Sequence, residues 1–148
     1  MAGTWREAST AGEGIHKQTV RRFYDEVWNR HDLTRLDEIL HGDFRFRGSL
    51  GTEVAGHAAF ATYVDGVHAS LAGYRCDILD MVEEGPKLVA RMRFYGVHRG
   101  RLLGHPATGR RVEWAGSAHF RFAEGRIADL WVLGDLYGLV RQISPDAM

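Results

Sequence analysis

The sequence of 148 residues has one cysteine, three prolines and no long apolar run. Because Cys76 has no cysteine partner in the chain, it excludes an internal disulfide, and we expect it to be a small buried residue of a cytoplasmic protein. A membrane-spanning helix needs roughly 18 consecutive apolar residues, and no such stretch is present, so no membrane partner is expected. The first residues also lack the apolar stretch of a signal peptide.

An excess of charge of either sign is missing as well, because 19 Lys and Arg residues balance 19 Asp and Glu residues. A protein that binds nucleic acid needs a basic excess or a basic stripe, so we expect no nucleic-acid partner. The histidines follow no metal-ligand spacing, and the chain has neither a glycine-rich phosphate loop nor a Gly-x-Ser-x-Gly turn. We therefore expect no metal, no cofactor and no covalent serine or cysteine mechanism.

What is present is the pattern of one domain, predicted over residues 14–143 between loose tails at 1–13 and 144–148. Apolar residues recur at helical spacing in three early segments, which are residues 16–30, 32–40 and 57–71. Alternation predicts strands over residues 44–48, 74–84, 87–98, 112–122 and 127–135, and a final helix or strand over 136–143. This order predicts an α+β fold: a cone-shaped, curved antiparallel sheet packed on three N-terminal helices, with a small-molecule pocket at its open end.

The dipeptide Glu124-Gly125 predicts the turn of the last hairpin, and a two-residue turn fixes which residues pair across it. In that register Phe122 pairs with Ile127, Ala118 with Trp131, and Trp114 with Asp135. One face is then bulky and carries Trp114, Gly116, Ala118, Phe120, Phe122, Ile127, Asp129, Trp131, Leu133 and Asp135. The other face is small and partly polar and carries Ala115, Ser117, His119, Arg121, Ala128, Leu130, Val132 and Gly134. Alternation alone leaves open which of the two faces lines the pocket.

Asp135 ends this apolar strand and has two interpretations. In a dry pocket, burial would raise the pKa of its carboxyl group, as a general acid/base near neutral pH requires. A bulge at Gly134 would turn Asp135 to the side of His119. Alternatively, Asp135 caps the N-terminus of segment 136–143 and has no part in chemistry.

The second half of the chain resembles the SnoaL-like polyketide cyclase family of the nuclear transport factor 2-like superfamily. The resemblance is carried by GVHRGRLLGHPATGRRVEWAG at 96–116, HFRFAEGRIADLW at 119–131 and GDLYGLVRQI at 134–143. The segment FYDEVWNRHDLTRLDEIL at 23–40 fits as well, so that the resemblance covers about residues 15 to 143.

The resemblance implies a cone-shaped α+β barrel, a homodimer or larger homo-oligomer, and an apolar small-molecule ligand. In the family's cyclases, an Asp directly after the strand tryptophan is the acid/base of an intramolecular aldol closure, and a His on the neighbouring strand assists. Here the tryptophan is Trp131 and the histidine is His119, but the residue after the tryptophan is Val132. The implied site therefore has a valine where the cyclases have their working carboxylate.

Two hypotheses follow. In the first, the chain is a small-molecule enzyme that uses cofactor-free acid/base chemistry, as a cyclase, isomerase or hydrolase, on an apolar polyketide- or terpenoid-like substrate. Asp135 and His119 are then catalytic, and the expected substrate-binding residues are Tyr24, Trp28, Tyr63, His98, Trp114, Trp131 and Val132. The aromatic residues and His98 among them also fit a purely structural role in the core. In the second hypothesis, the same fold is a non-catalytic small-molecule-binding or interaction module.

Overall fold

A computed structural model describes residues 12–145 of the chain. Its helices are α1 (Ile15–Arg22), which continues as a π-helical segment (Phe23–Asn29), α2 (Leu36–Ile39), α3 (His57–Ser70) and α4 (Leu136–Ile143). Its strands are β1 (Leu40–Arg47), β2 (Glu53–Ala55), β3 (Leu71–Glu84), β4 (Lys87–His98), β5 (Arg111–Ala123) and β6 (Arg126–Gly134). The predicted tails fall mostly on residues 1–11 and 146–148, which lie outside the described residues. In the described part, no helix is both long and apolar enough to cross a bilayer.

The six strands form one sheet in the order β2-β1-β6-β5-β4-β3. All neighbours are antiparallel except β1 and β6, which run parallel. The sheet curls around the helices, which confirms the predicted α+β fold. The core fills the space between the concave face of the sheet and the helices.

Helix α3 shows how the apolar pattern builds this core. It buries Phe60, Val64 and Val67, which are spaced by four and three residues and therefore share one side of a helix. The Phe60 ring is fully buried and packs against the rings of Phe23 and Phe44. Contacts between rings from a helix and a strand thus hold α3 on the concave face of the sheet.

The π-helical segment is an unusual part of the first helix. The Arg30 amide donates to the Asp25 carbonyl, five residues back, at 3.0 Å. Such a turn is wider than an α-helical turn and occurs frequently at functional sites. Both Tyr24 and Trp28 belong to this segment, and their side chains are buried.

Strands β5 and β6 are joined by the predicted two-residue turn. Glu124 and Gly125 have φ angles of +52° and +75°, and two consecutive residues with positive φ make a type I′ hairpin turn. Phe122 pairs with Ile127, as the sequence predicts. The hairpin therefore begins in the predicted register.

The register then shifts at Ala128, an extra residue that forms a β-bulge in β6. The predicted register beyond this point, including the pairing of Trp114 with Asp135, is wrong by one residue. The predicted bulge at Gly134 is replaced by this earlier one. The observed pairs are His119–Trp131, Ala118–Val132 and Gly116–Gly134.

The physical reason for the shift is the polar residue Asp129. Strict alternation from Ile127 would place Asp129 on the inner face, where an unpaired carboxylate is costly. With the bulge, Ile127 and Ala128 are both buried, and Leu130 takes the next inner position. Asp129 instead lies outside and forms an ion pair with Arg121.

Candidate functional site

The concave side of the sheet holds an apolar cavity with a free volume of about 20 Å³. That volume has room for about one water molecule, whereas small-molecule sites span roughly 300–1,000 Å³, so a ligand fits only when side chains of the lining move apart. The cavity lies between the π-helical segment, α3 and the inner face of the sheet. Its walls are formed by Tyr24, Trp28, Phe46, Ser49, Leu50, Tyr63, Val67, Tyr74, Cys76, Phe94, Leu130 and Val132.

Three tyrosines give this apolar cavity its main polar character. Burial raises the pKa of Tyr24 and Tyr74 well above the usual value, and it raises the pKa of Tyr63 to about 12. All three hydroxyl groups are protonated near neutral pH, as in any tyrosine; the Tyr74 hydroxyl interacts with the Cys76 thiol, and those of Tyr24 and Tyr63 can donate hydrogen bonds to a ligand. Burial also raises the pKa of the Cys76 thiol, so that this cysteine stays a neutral thiol and a poor nucleophile.

The position of the Tyr63 hydroxyl depends on Gly48. A Cβ at Gly48 would lie 2.6 Å from the Tyr63 hydroxyl oxygen and 2.9 Å from the Phe46 ring. Real Cβ atoms do not approach other atoms so closely. The bare backbone at the end of β1 is therefore what lets the Tyr63 hydroxyl occupy this part of the wall.

The lining contains no carboxylate and no histidine among the described residues. Carboxylates lie instead in a second, polar pocket on the other side of the wall, where Asp25 and Asp77 are found with Arg21 and Asn29. Tyr24 and Cys76 line both pockets. These two side chains therefore separate the apolar cavity from a charged surface.

Asp135 lies outside the cavity. Its side chain is exposed and accepts a hydrogen bond from the Gly138 amide at 2.9 Å, so that it caps the N-terminus of α4. Its own amide donates to the Ala115 carbonyl. The structure thus places Asp135 as the capping interpretation predicts, and nothing in its position supports an acid/base role.

His119 also lies on the outer face, contrary to the expectation that it shares a face with Val132. It is exposed, packs edge-on against the Trp131 ring with centroids 5.4 Å apart, and its Nε2 lies 3.1 Å from the Ser117 hydroxyl oxygen. Trp131 is likewise 45% exposed, while Val132 is buried in the cavity wall. The bulge at Ala128 is what separates Val132 from its predicted neighbour.

Two further predicted site residues are buried but do not line the cavity. The imidazole Nδ1 of His98 accepts a hydrogen bond from the Thr108 amide, so that its Nε2 carries the proton and has no partner in the described structure. Trp114 is 2% exposed, and its indole ring packs against the rings of Tyr74 and Phe94. Both of these rings line the cavity, so Trp114 lies directly behind its wall.

Among the predicted substrate-binding residues, the structure brings together Tyr24, Trp28, Tyr63 and Val132. Sequence reasoning missed eight others, namely Phe46, Ser49, Leu50, Val67, Tyr74, Cys76, Phe94 and Leu130. The alternation of β3 contained a signal for Tyr74 and Cys76, because residues two apart in a strand share a face. Only the three-dimensional path of the β1–β2 loop brings Ser49 and Leu50 to the wall.

The chain is similar to proteins of a known family. The family described as SnoaL-like polyketide cyclase matches residues 18–143. Aklanonic acid methyl ester cyclase DnrD of Streptomyces peucetius is 32% identical over 128 residues, which cover 84% of this chain and 88% of that protein. Nogalonic acid methyl ester cyclase of Streptomyces nogalater is 33% identical over 111 residues, which cover 74% of this chain and 83% of that protein.

A solved structure agrees with these sequence relatives. The structure of TsrD from Streptomyces laurentii superposes with a TM-score of 0.79 at 30% identity, and the match covers 93% of this chain and 98% of that one. The chain belongs to the SnoaL-like polyketide cyclase family.

Proposed function

We propose that this chain is a cofactor-free cyclase that closes a ring in an apolar, polyketide-like substrate inside the cavity. The relatives named above are cyclases of aklanonic acid methyl ester and nogalonic acid methyl ester. We propose a substrate of the same kind, an uncharged aromatic polyketide ester. The observation that carries the proposal is the aromatic cavity with three protonated tyrosine hydroxyls in its wall.

The proposed reaction is an intramolecular aldol addition. A substrate carbon between two carbonyl groups loses a proton and attacks a ketone carbon, and the ketone oxygen gains a proton. One carbon–carbon bond forms, and the product has the same atoms as the substrate. The cavity favours the reaction by holding the two carbons close together, and the tyrosine hydroxyls donate to the oxygens on which negative charge develops.

The proton that leaves the substrate carbon needs an acceptor. Asp135 and His119 face solvent on the outside, whereas Asp25 and Asp77 lie in the polar pocket that shares Tyr24 and Cys76 with the cavity. The Tyr24 hydroxyl has no hydrogen bond to either carboxylate in the described structure, so we propose that ligand binding brings one of them within reach and that the hydroxyl then takes up the substrate proton while it passes its own proton outward. A relay of this kind uses a carboxylate as general base without burying its charge in the cavity.

The test is to incubate the purified protein with aklanonic acid methyl ester and to follow products by liquid chromatography and mass spectrometry. The expected product has an unchanged mass and a new retention time. Tyr24→Phe, Asp25→Asn and Asp77→Asn identify the relay, and Asp135→Asn is the matched carboxylate control. A loss of turnover in Asp135→Asn, with the other variants active, would contradict the assignment of the relay.

The alternative is a non-catalytic small-molecule-binding module, and one observation favours it. Val132 lines the cavity at the position where the resemblance implies the carboxylate of the cyclases. In this case the polyketide ester binds in the cavity and is recovered unchanged after long incubation. Turnover by the wild-type protein, lost in Tyr24→Phe, rejects this alternative.

A further inference from the structure

Trp114 carries a buried hydrogen-bond donor without an acceptor. Its indole N–H is one of two buried side-chain polar atoms in residues 12–145 that have no partner, and the side chain is 2% exposed. Most buried donors in native proteins are paired, because leaving one unpaired costs free energy. An unpaired indole N–H beside a cavity therefore calls for a missing acceptor.

The surroundings of this N–H point to the cavity as the source of the acceptor. A Cβ at Gly134 would lie 3.1 Å from the indole nitrogen and 2.9 Å from the Ser49 Cβ. The indole nitrogen and Ser49 thus both border the bare backbone of Gly134. Ser49 is itself buried and lines the cavity. The indole ring lies behind Tyr74 and Phe94 and is not itself part of the lining, so a ligand group reaches its N–H from the Ser49 side.

We infer that Trp114 and Ser49 form a carbonyl-binding subsite at the Gly134 end of the cavity. An uncharged ketone or ester oxygen of the ligand accepts a hydrogen bond from the indole N–H, and the Ser49 hydroxyl donates a second one. The ligand group is uncharged because the described lining supplies no cation to balance a carboxylate. This subsite rests on the proposed function only in that the cavity binds an apolar small molecule.

The subsite makes Trp114 a specificity-determining residue, and its effect is confined to ligands that have the oxygen. A ligand without it leaves the N–H unpaired, as it is in the free protein. A net hydrogen bond of this kind corresponds to a change of roughly 3- to 10-fold in affinity. The indole ring also packs against Tyr74 and Phe94. A substitution of Trp114 that lowers the affinity for every ligand equally would therefore report the loss of this packing alone.

The experiment uses two rigid tricyclic probes of nearly equal shape, 9-fluorenone and fluorene, which differ in the carbonyl oxygen. Their dissociation constants are measured by calorimetry for the wild-type protein, Trp114→Phe and Ser49→Ala. We expect the wild-type protein to prefer fluorenone by about 3- to 10-fold and Trp114→Phe to lose most of that preference while it keeps its affinity for fluorene. Ser49→Ala is expected to lose part of the preference.

A second measurement uses the wild-type protein alone, in case Trp114→Phe does not fold. In nitrogen-15 spectra, the Trp114 indole N–H signal is expected to move downfield with fluorenone and much less with fluorene. Equal affinity for both probes, or a Trp114 signal that responds to both alike, overturns the subsite and leaves the cavity proposal standing. Binding of neither probe overturns the subsite and the small-molecule cavity together.

Discussion

The two faces of the β5–β6 hairpin differ sharply, although their residues alternate along the same strands. The inner face carries apolar side chains such as Phe120, Leu130 and Val132, all nearly fully buried. The outer face carries His119 and Trp131 in contact with each other, with solvent around them. Every ionisable side chain that the sequence suggested for catalysis in this hairpin lies outside.

The difference teaches that one inserted residue decides which side chains can meet a ligand. Before the bulge at Ala128 the two faces are as alternation predicts, and beyond it they are exchanged on β6. The exchange buries Leu130 and Val132 and exposes Trp131. Among the described residues, the cavity wall therefore offers tyrosine and serine hydroxyls and a thiol but no carboxylate and no histidine.

The largest expected effect is a difference in stability between substitutions at two adjacent residues of β5, Phe120 and His119. Phe120→Ala removes a fully buried ring that packs against Phe23 and Tyr24, so we expect a loss of about 3–5 kcal/mol in the free energy of unfolding. His119→Ala, one residue away on the outer face, should change it by less than about 0.5 kcal/mol. Urea denaturation measures both, and similar losses in the two variants would contradict the assignment of faces.

A smaller loss is expected from overfilling the inner face. Gly48→Ala places a methyl group against the Tyr63 hydroxyl and the Phe46 ring, and we expect it to cost about 1–3 kcal/mol in unfolding free energy. Gly42→Ala, within β1, is the matched control, because nothing lies within 4 Å of its added Cβ. If the two variants melt at the same temperature, the close approach of Tyr63 to β1 is wrong.

The next prediction concerns the exposed carboxylate of Asp135. Asp135→Ala removes the cap of α4 and should lower the free energy of unfolding by about 0.5–2 kcal/mol, whereas Asp135→Asn keeps an accepting oxygen and should lower it much less. Neither change should alter turnover or ligand affinity. A stable Asp135→Asn variant that has lost turnover would restore the acid/base interpretation.

The last predicted effect is absent near neutral pH and appears only in alkali. Burial raises the pKa of Tyr63 from 10.0 to about 12. Below pH 10 both the folded and the unfolded states keep this proton, so Tyr63 adds no pH dependence there. Between pH 10 and about 12 the unfolded state loses the proton while the folded state keeps it, so stability falls as the pH rises. Tyr63→Phe should flatten this fall in unfolding experiments, and an unchanged slope would contradict burial of the hydroxyl.

Much of the fold is predictable from the sequence because most of its helices, strands and turns have a local sequence pattern. The periods of α3 and of the long strands, and the Glu124-Gly125 turn, follow from spacing and from the tolerance of glycine for positive φ. The pattern of the final segment fits a helix or a strand, and in the structure it is α4 with Asp135 as its cap. The homo-oligomer and the cytoplasmic setting stay predictions.

The site was less predictable, for two physical reasons. The bulge at Ala128 avoids the cost of burying Asp129. The alternation of apolar and polar residues alone does not predict it. Ser49 reaches the cavity through a loop whose path depends on the close approach of Gly134. The cavity positions of Tyr24 and Tyr63 are predictable, because the apolar side of a helix that packs on a curved sheet also faces the cavity.

The central claim is that Val132 faces the cavity while Trp131 faces solvent. The most direct test replaces each in turn with cysteine in a Cys76→Ala background and measures the rate of labelling by a water-soluble thiol reagent. We predict rapid labelling of Trp131→Cys and protection of Val132→Cys until the protein unfolds. Rapid labelling of Val132→Cys together with protection of Trp131→Cys would contradict the account.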